Sequence, residues 1–302
     1  MGITKKLSDV WRRTKRYFAS HSIFFHIASL ILLLWACSLL VMLLWGIMVS
    51  CTPYRGELGY ANNKAQFFPL AWKNNWAEVF DIIKVDTPLG NTVGYFPMLW
   101  NSVWISIGTQ SAKIISATCF AYLIAKYDFC GKRFAYMFVI VQMMIPTYGQ
   151  TSANYRLLDS LGMISSPTYL LSQFAGHGMP FLLLHACFVG IDKAYSEAAQ
   201  MDGANDWTVL VKIMIPLALP IIGTLFLTGF IGLWNDYATI LIFMEEYPTL
   251  ASGLFLFQES RDFQGAPTYF AGLFISAIPV ACLFLCFHKQ LLSNLMIGGI
   301  KG

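Results

Sequence analysis

Charge is what this chain has least of. Of its 302 residues only 12% are Asp, Glu, Lys or Arg, while 57% are hydrophobic; water-soluble domains carry about 25% charged residues. No G-x-x-x-x-G-K-[ST] phosphate loop occurs, and Gly131-Lys132-Arg133 is a poor echo of one, so the chain does not bind ATP by that route. HExxH, paired carboxylates within the apolar runs and Cys/His clusters are all missing, which leaves a membrane-embedded hydrolase without a visible catalyst. The seven cysteines contain no Cys-x-x-Cys pair, so neither a zinc site nor a disulfide framework is supported. A proton-coupled carrier is expected to group several acidic or histidine residues inside its spans. Here Asp236, Lys113 and the histidines at 26, 177 and 185 are scattered.

What the chain has is long apolar stretches. They run over 23–49, 97–125, 134–148, 169–191, 217–244 and 267–287, against the roughly 20 residues a helix needs to cross hydrocarbon. An unpaired backbone amide in lipid costs several kcal/mol, so the spans must be helical. The reading is an all-α membrane protein with six transmembrane helices. The first run is 27 residues long, against about 7–15 for a signal-peptide core, which predicts a retained span. Residues 1–22 form a basic, aromatic lead suited to an anionic inner leaflet.

Basic residues set the expected orientation. Segments 1–22, 126–133, 192–212 and 288–302 hold thirteen Lys and Arg, while the longer 50–96, 149–168 and 245–266 hold six. The richer side faces the cytoplasm, which places both termini there. The chain divides into the lead at 1–22, a first span at 23–50, an extracytoplasmic loop at 51–96, a core at 97–292 and a tail at 293–302.

One polar stretch between the apolar runs has a defined spacing. Glu197-Ala198-Ala199 is followed by three residues, Gly203, nine more, and Ile213-x-Ile215-Pro216. Residues 197–201 are good helix formers, with Glu197 placed to favour the positive end of the helix dipole. Gly203 suits the left-handed residue that ends a helix, and Asp206 is a candidate cap for the next, apolar helix, which Pro216 interrupts. This predicts a short helix, a tight corner and a second helix entering the membrane, with Ala198 and Ala199 giving a low surface that another protein can approach.

The spacing resembles the EAA loop of ABC-importer membrane subunits, E-A-A-x3-G-x9-I-x-L-P, with Ile215 in place of Leu. Further stretches resemble the carbohydrate-type permeases related to the smaller maltose permease subunit. These are Asn101-Ser102, residues 121–126 with Gly131-Lys132-Arg133, Met144-Ile145-Pro146, Trp234-Asn235-Asp236-Tyr237, residues 247–250 and the terminal 298–302. The resemblance covers about residues 95–302 and implies the architecture of a type I ABC-importer permease in a bacterial cell membrane. It implies a second permease subunit, two cytoplasmic ATPase subunits that bind ATP and Mg, an external solute-binding protein, and a sugar, expected to be an oligosaccharide, as cargo. This chain itself would carry no cofactor and no metal.

By that resemblance Glu197, Ala198, Ala199, Asp202, Gly203, Ile213 and Pro216, within loop 193–216, couple to an ATPase. Gln258, Glu259, Arg261, Asp262, Phe263 and Gln264 fall in the external loop that reaches into the binding protein. Lys113, Asn235 and Asp236 either line the translocation pathway or bond to neighbouring helices, and Trp234 and Tyr237 are candidates for the pathway. Pro146 and Pro220 are expected to end or kink helices. A permease for another polar solute, or an ATP-independent carrier, are the alternatives.

Overall fold

The computed structural model describes residues 23–52, 72–145, 149–175, 178–259 and 266–295. The basic lead, the C-terminal tail from 296, Pro146 and the predicted binding-protein contacts at 261–264 lie outside the described residues.

Two units are described separately, one of residues 1–75 with 265–271, the other of 76–264 with 272–302. The first contains α1 (Ile23–Ser50), 28 residues without a charge. Its leucines are exposed on every face, Leu32 at 63% and Leu44 at 57%, and a helix apolar all round belongs in lipid or against other apolar surface. Its end is pinned by Asn75, whose Nδ2 donates to the carbonyls of Ser50 and Thr52, both at 2.8 Å.

The helix α2 (Trp72–Ile82) and a two-stranded hairpin, β1 (Val85–Asp86) with β2 (Thr92–Val93), occupy much of the predicted loop 51–96. Val85 pairs with Val93 and Asp86 with Thr92. The second unit is organised on α3 (Tyr95–Lys126), 32 residues and about 48 Å long at 1.5 Å per residue. Around it lie α4 (Lys132–Met144), α5 (Gln150–Ser160), α6 (Tyr169–Ser172) running into a 3₁₀ turn at Gln173–Ala175, and α7 (Gly178–Gly190). Then follow α8 (Ala194–Met201), α9 (Asp206–Val209), a π-helical turn (Leu210–Met214), α10 (Ile215–Trp234), α11 (Ala238–Phe243), α12 (Leu250–Glu259) and α13 (Ala266–Leu295).

One core joins α3, α7 and the α9–α10 helix through Ala117, Ala121, Tyr122, Phe181, Phe188 and Met214. Small residues on α3 let the aromatic rings of α7 seat closely. A second core gathers Ile105, Leu158, Tyr169, Ile240, Phe243 and Met244. Gln110 of α3 donates Nε2 to the Leu225 carbonyl at 2.9 Å and lies directly over Gly229, leaving no room for a Cβ there.

Among the described residues, three helices are long and apolar enough to cross a membrane: α1, the continuous Asp206–Trp234 helix, and Ala266–Cys286 within α13. The predicted span at 97–125 lies within the single helix α3, while the runs at 134–148, 169–191 and 217–244 are divided differently from the expectation. The run at 134–148 is a 13-residue helix ending at Met144, and Ile145 is extended (φ −71°, ψ 121°), as a residue before proline prefers. The run at 169–191 is split between α6 and α7. The run at 217–244 breaks at Asn235-Asp236, because both side chains bond to nearby backbone: Asn235 Nδ2 to the Ile231 carbonyl at 2.8 Å, and Asp236 Oδ1 to the Thr239 amide at 3.0 Å. Such local bonds compete with helix continuation. Pro220 is carried inside α10 without ending it.

Candidate functional site

An eight-residue helix such as α8 is too short to be stable alone, so its order must come from its ends and its underside. Asp192 Oδ1 accepts from the Ala194 amide at 3.0 Å, opening the helix. At the other end, Gly203 (φ +83°) donates to the Gln200 carbonyl at 3.0 Å, and Ala204 to that of Ala199 at 2.9 Å. These two bonds form the Schellman closure that a left-handed residue makes possible. Gln200 Nε2 reaches across the corner to Asp206 Oδ1 at 3.2 Å. Asp206 is therefore a brace. The cap of α9 is Asn205, whose side chain accepts from the Thr208 amide at 2.8 Å. Ala199 and Ala204 face inward against the α3–α7–α10 core.

The chain then enters α10 through the π turn. Ile215 donates to the Leu210 carbonyl five residues back, immediately before Pro216, which has no N–H to give. Ile213 is half-buried in this turn, and Pro216 is exposed. The outer surface of the elbow carries Glu197, Ala198, Asp202 and Gly203, all exposed. It also carries three large side chains that the motif does not specify: Tyr195, Met201 and Trp207, with Met201 88% and Trp207 67% exposed. The elbow is thus a low helix flanked by uncovered apolar side chains, the kind of surface that marks interaction sites. The signal for Met201 and Trp207 was present in the sequence as apolar residues in a polar loop.

The elbow is tied to α3. Lys126 Nζ donates to the Ile191 carbonyl at 2.6 Å, and the next residue, Tyr127, meets the Tyr122 ring edge-on with centroids 5.7 Å apart. Burial, then the neighbouring Tyr122 and Asp206, raise the Tyr127 phenol well above the ordinary tyrosine value. Burial, then the neighbouring Lys193, draw the Lys126 ammonium below the ordinary lysine value, with Asp192 opposing.

Within the helical bundle, Lys113 and Asp236 face one cavity of about 810 Å³, with Gln142, Gln150, Asn154 and Gln173 also on its wall. Lys113 lies within electrostatic reach of Asp236, yet among the described residues no ion pair joins them. A charge in hydrocarbon costs about 2.5–3.5 kcal/mol on insertion scales; a cavity that places polar side chains beside both charges keeps them off lipid. Asn235 is occupied by its local bond. Trp234 is 4% exposed and donates Nε1 to the Ser276 carbonyl at 3.2 Å, while Tyr237 stacks on Phe255 at 4.4 Å; these three are not on the cavity wall. Gln258 and Glu259 end α12, both exposed.

A helical membrane bundle with a cavity that carries Lys113 and Asp236 on its wall, and a braced, uncovered elbow, defines a transport subunit. The chain belongs to the family of binding-protein-dependent transport system inner membrane components, whose model matches residues 117–293. It is therefore a non-catalytic, multi-pass component of a bacterial ABC transporter. A galactooligosaccharides transport system permease protein of Bacillus subtilis (strain 168) is 32% identical over 209 residues, covering 67% of this chain and 73% of the relative. A maltodextrin transport system permease protein of the same organism is 27% identical over 206 residues, covering 67% and 74%. The fold is similar to a crystal structure of a bacterial ABC transporter involved in import of the acidic polysaccharide alginate, with a TM-score of 0.71 at 22% identity over 88% of this chain and 96% of that one.

Proposed function

We propose that this chain forms half of the translocation pathway of an ATP-driven importer for an oligosaccharide, paired with a second, different permease subunit. An external binding protein delivers the sugar, and two cytoplasmic ATPase subunits hold ATP and Mg. The observation that carries the reading is the elbow at 193–216. Its Schellman corner at Gly203, its inward alanines and its uncovered Met201 and Trp207 suit a small helix seated in a groove of an ATPase.

Glu197, Ala198, Asp202 and Gly203 form the seated part, with Ala199 backing it against the core and Ile213 and Pro216 directing the stroke into α10. ATP-driven closure of the ATPase pair moves the elbow, and α10 and α3 follow as rigid bodies, α3 through the Lys126 tie. The six crossings are α1, α3, α4 with the residues after it, the α6–α7 pair, α10 and α13, with both termini cytoplasmic on the strength of the basic-residue bias. Gln258 and Glu259 begin the segment that meets the binding protein. The names of the two Bacillus relatives support an oligosaccharide as cargo.

The reading is tested by purification from the membrane. A second permease subunit and an ATPase should accompany the chain, and a sugar-loaded binding protein should stimulate ATP hydrolysis by the reconstituted complex. Full uptake by the isolated chain would refute it.

A further inference from the structure

The chemistry of the cavity wall goes beyond the importer reading, on which this inference rests. Ile105, Thr109 and Lys113 follow one another at successive turns of α3 and all line the cavity. Lys113 is 18 residues from the start of α3 at Tyr95 and 13 from its end at Lys126, about 27 and 20 Å at helical rise, so it lies near the middle of that helix, while Gln142, Gln150 and Asn154 are on the exposed part of the cavity wall. The lining also includes Asp236, in the unwound break between α10 and α11 and within electrostatic reach of Lys113.

The polar groups on this wall are largely unspent. Among the described residues the side chains of Lys113, Gln142, Gln150 and Asn154 have no hydrogen-bond or ion-pair partner. Carboxamides and hydroxyls both donate and accept, as the hydroxyls of a sugar do. Leu157, Leu161 and Ile240 on the same wall offer apolar surface to sugar C–H faces. The volume, about 810 Å³, falls within the roughly 300–1,000 Å³ of small-molecule sites.

We propose that this subunit itself holds a substrate subsite in this cavity, formed by Lys113, Gln150, Asn154 and Asp236, and that it selects neutral oligosaccharides over uronates and amino sugars. One cation and one anion share the wall without pairing, so the site has no net charge. A uronate that gains Lys113 must face Asp236, and an amino sugar that gains Asp236 must face Lys113; neutral hydroxyls bond to both. Selectivity thus comes from a built-in repulsion against either charged class.

The test uses the complete complex with its partner permease, ATPases and binding protein, reconstituted in liposomes. Uptake of maltotriose and of a neutral galactotriose is measured first. Uptake of neither overturns the oligosaccharide reading, and this proposal with it. With whichever trisaccharide is carried, Gln150→Ala and Asn154→Ala are expected to lower uptake about tenfold each, the effect of one lost bond to a desolvated ligand. Assembly, followed by size-exclusion chromatography, identifies a variant that fails to fold, and Asn154→Asp then serves in place of Asn154→Ala. Binding of that trisaccharide and of trigalacturonate to the permease–ATPase complex without binding protein is then compared. The parent should prefer the neutral sugar, and Asp236→Asn, which keeps the oxygen that accepts from Thr239, should gain affinity for trigalacturonate about tenfold or more. Unchanged uptake in assembled Gln150 and Asn154 variants, or equal binding of both sugars by the parent, would overturn the subsite while leaving the importer intact.

Discussion

Lys126 Nζ and the Ile191 carbonyl oxygen, 2.6 Å apart, join the last residue of α3 to the chain just ahead of the elbow. The bond crosses 65 positions of sequence and fixes the elbow to the central helix of the bundle. Lys126→Met should cost about 1 kcal/mol, the net worth of one such bond, and should uncouple ATP hydrolysis from uptake more than it lowers assembly. Thermal unfolding of the purified complex and the ratio of sugar moved to ATP hydrolysed check this.

The same lysine makes a pH prediction. Burial and Lys193 lower its folded pKa, so in the interval just below the ordinary lysine value the unfolded chain holds a proton that the folded chain has begun to release. Stability therefore rises with pH through that alkaline interval. The difference in unfolding temperature between parent and Lys126→Met should widen there in the parent's favour. A difference that narrows would contradict the assigned cause.

Gly203 is tested by shape. Its Cβ position is open, so a side chain is opposed by backbone conformation alone. At φ +83° a β-branched residue costs about 1–2 kcal/mol or more. Gly203→Val should lower ATPase retention on the purified permease, and Gly203→Asn, which tolerates the left-handed region, should restore most of it. Equal retention in both would show that the corner is not needed.

Gly229 is tested by space. A Cβ there meets the Gln110 carboxamide, so Gly229→Val must displace it from the Leu225 carbonyl. Overpacking costs about 1–3 kcal/mol, and the permease yield should fall. Gln110→Ala in the same chain should recover part of that loss.

Met201→Asp and Trp207→Ala change the uncovered face of the elbow without touching its braces. Each should weaken ATPase association by about tenfold or more, as loss of an interface anchor does, while the unfolding temperature of the permease alone stays within about a degree of the parent.

The elbow was legible in the sequence because its geometry is local. Gly203 and the run before it specify a helix end whatever surrounds them, and φ at Gly203 agrees. The cap at Asn205 was missed in favour of Asp206, since two adjacent residues can each cap a helix and only the contact with Gln200 decides which is free. The long apolar helices were legible from composition. The break at Asn235-Asp236 was hidden inside an apolar run, because two polar residues dilute hydropathy little while their backbone bonds stop the helix. The cavity was the least legible feature: Gln142, the α5 pair Gln150 and Asn154, and Lys113 lie on three different helices, and only tertiary packing brings them to one wall.

The central claim is that the 193–216 elbow seats on an ATPase from the cytoplasmic side. It is tested most directly by Ala198→Cys in a chain whose seven native cysteines are replaced, treated in native membranes with a short bifunctional thiol reagent. The predicted result is an adduct with a nucleotide-hydrolysing subunit, at a level that changes on adding ATP, and protection of the introduced thiol from membrane-impermeant reagents applied outside the cell. Labelling of that thiol from outside, with no ATPase captured, would contradict it.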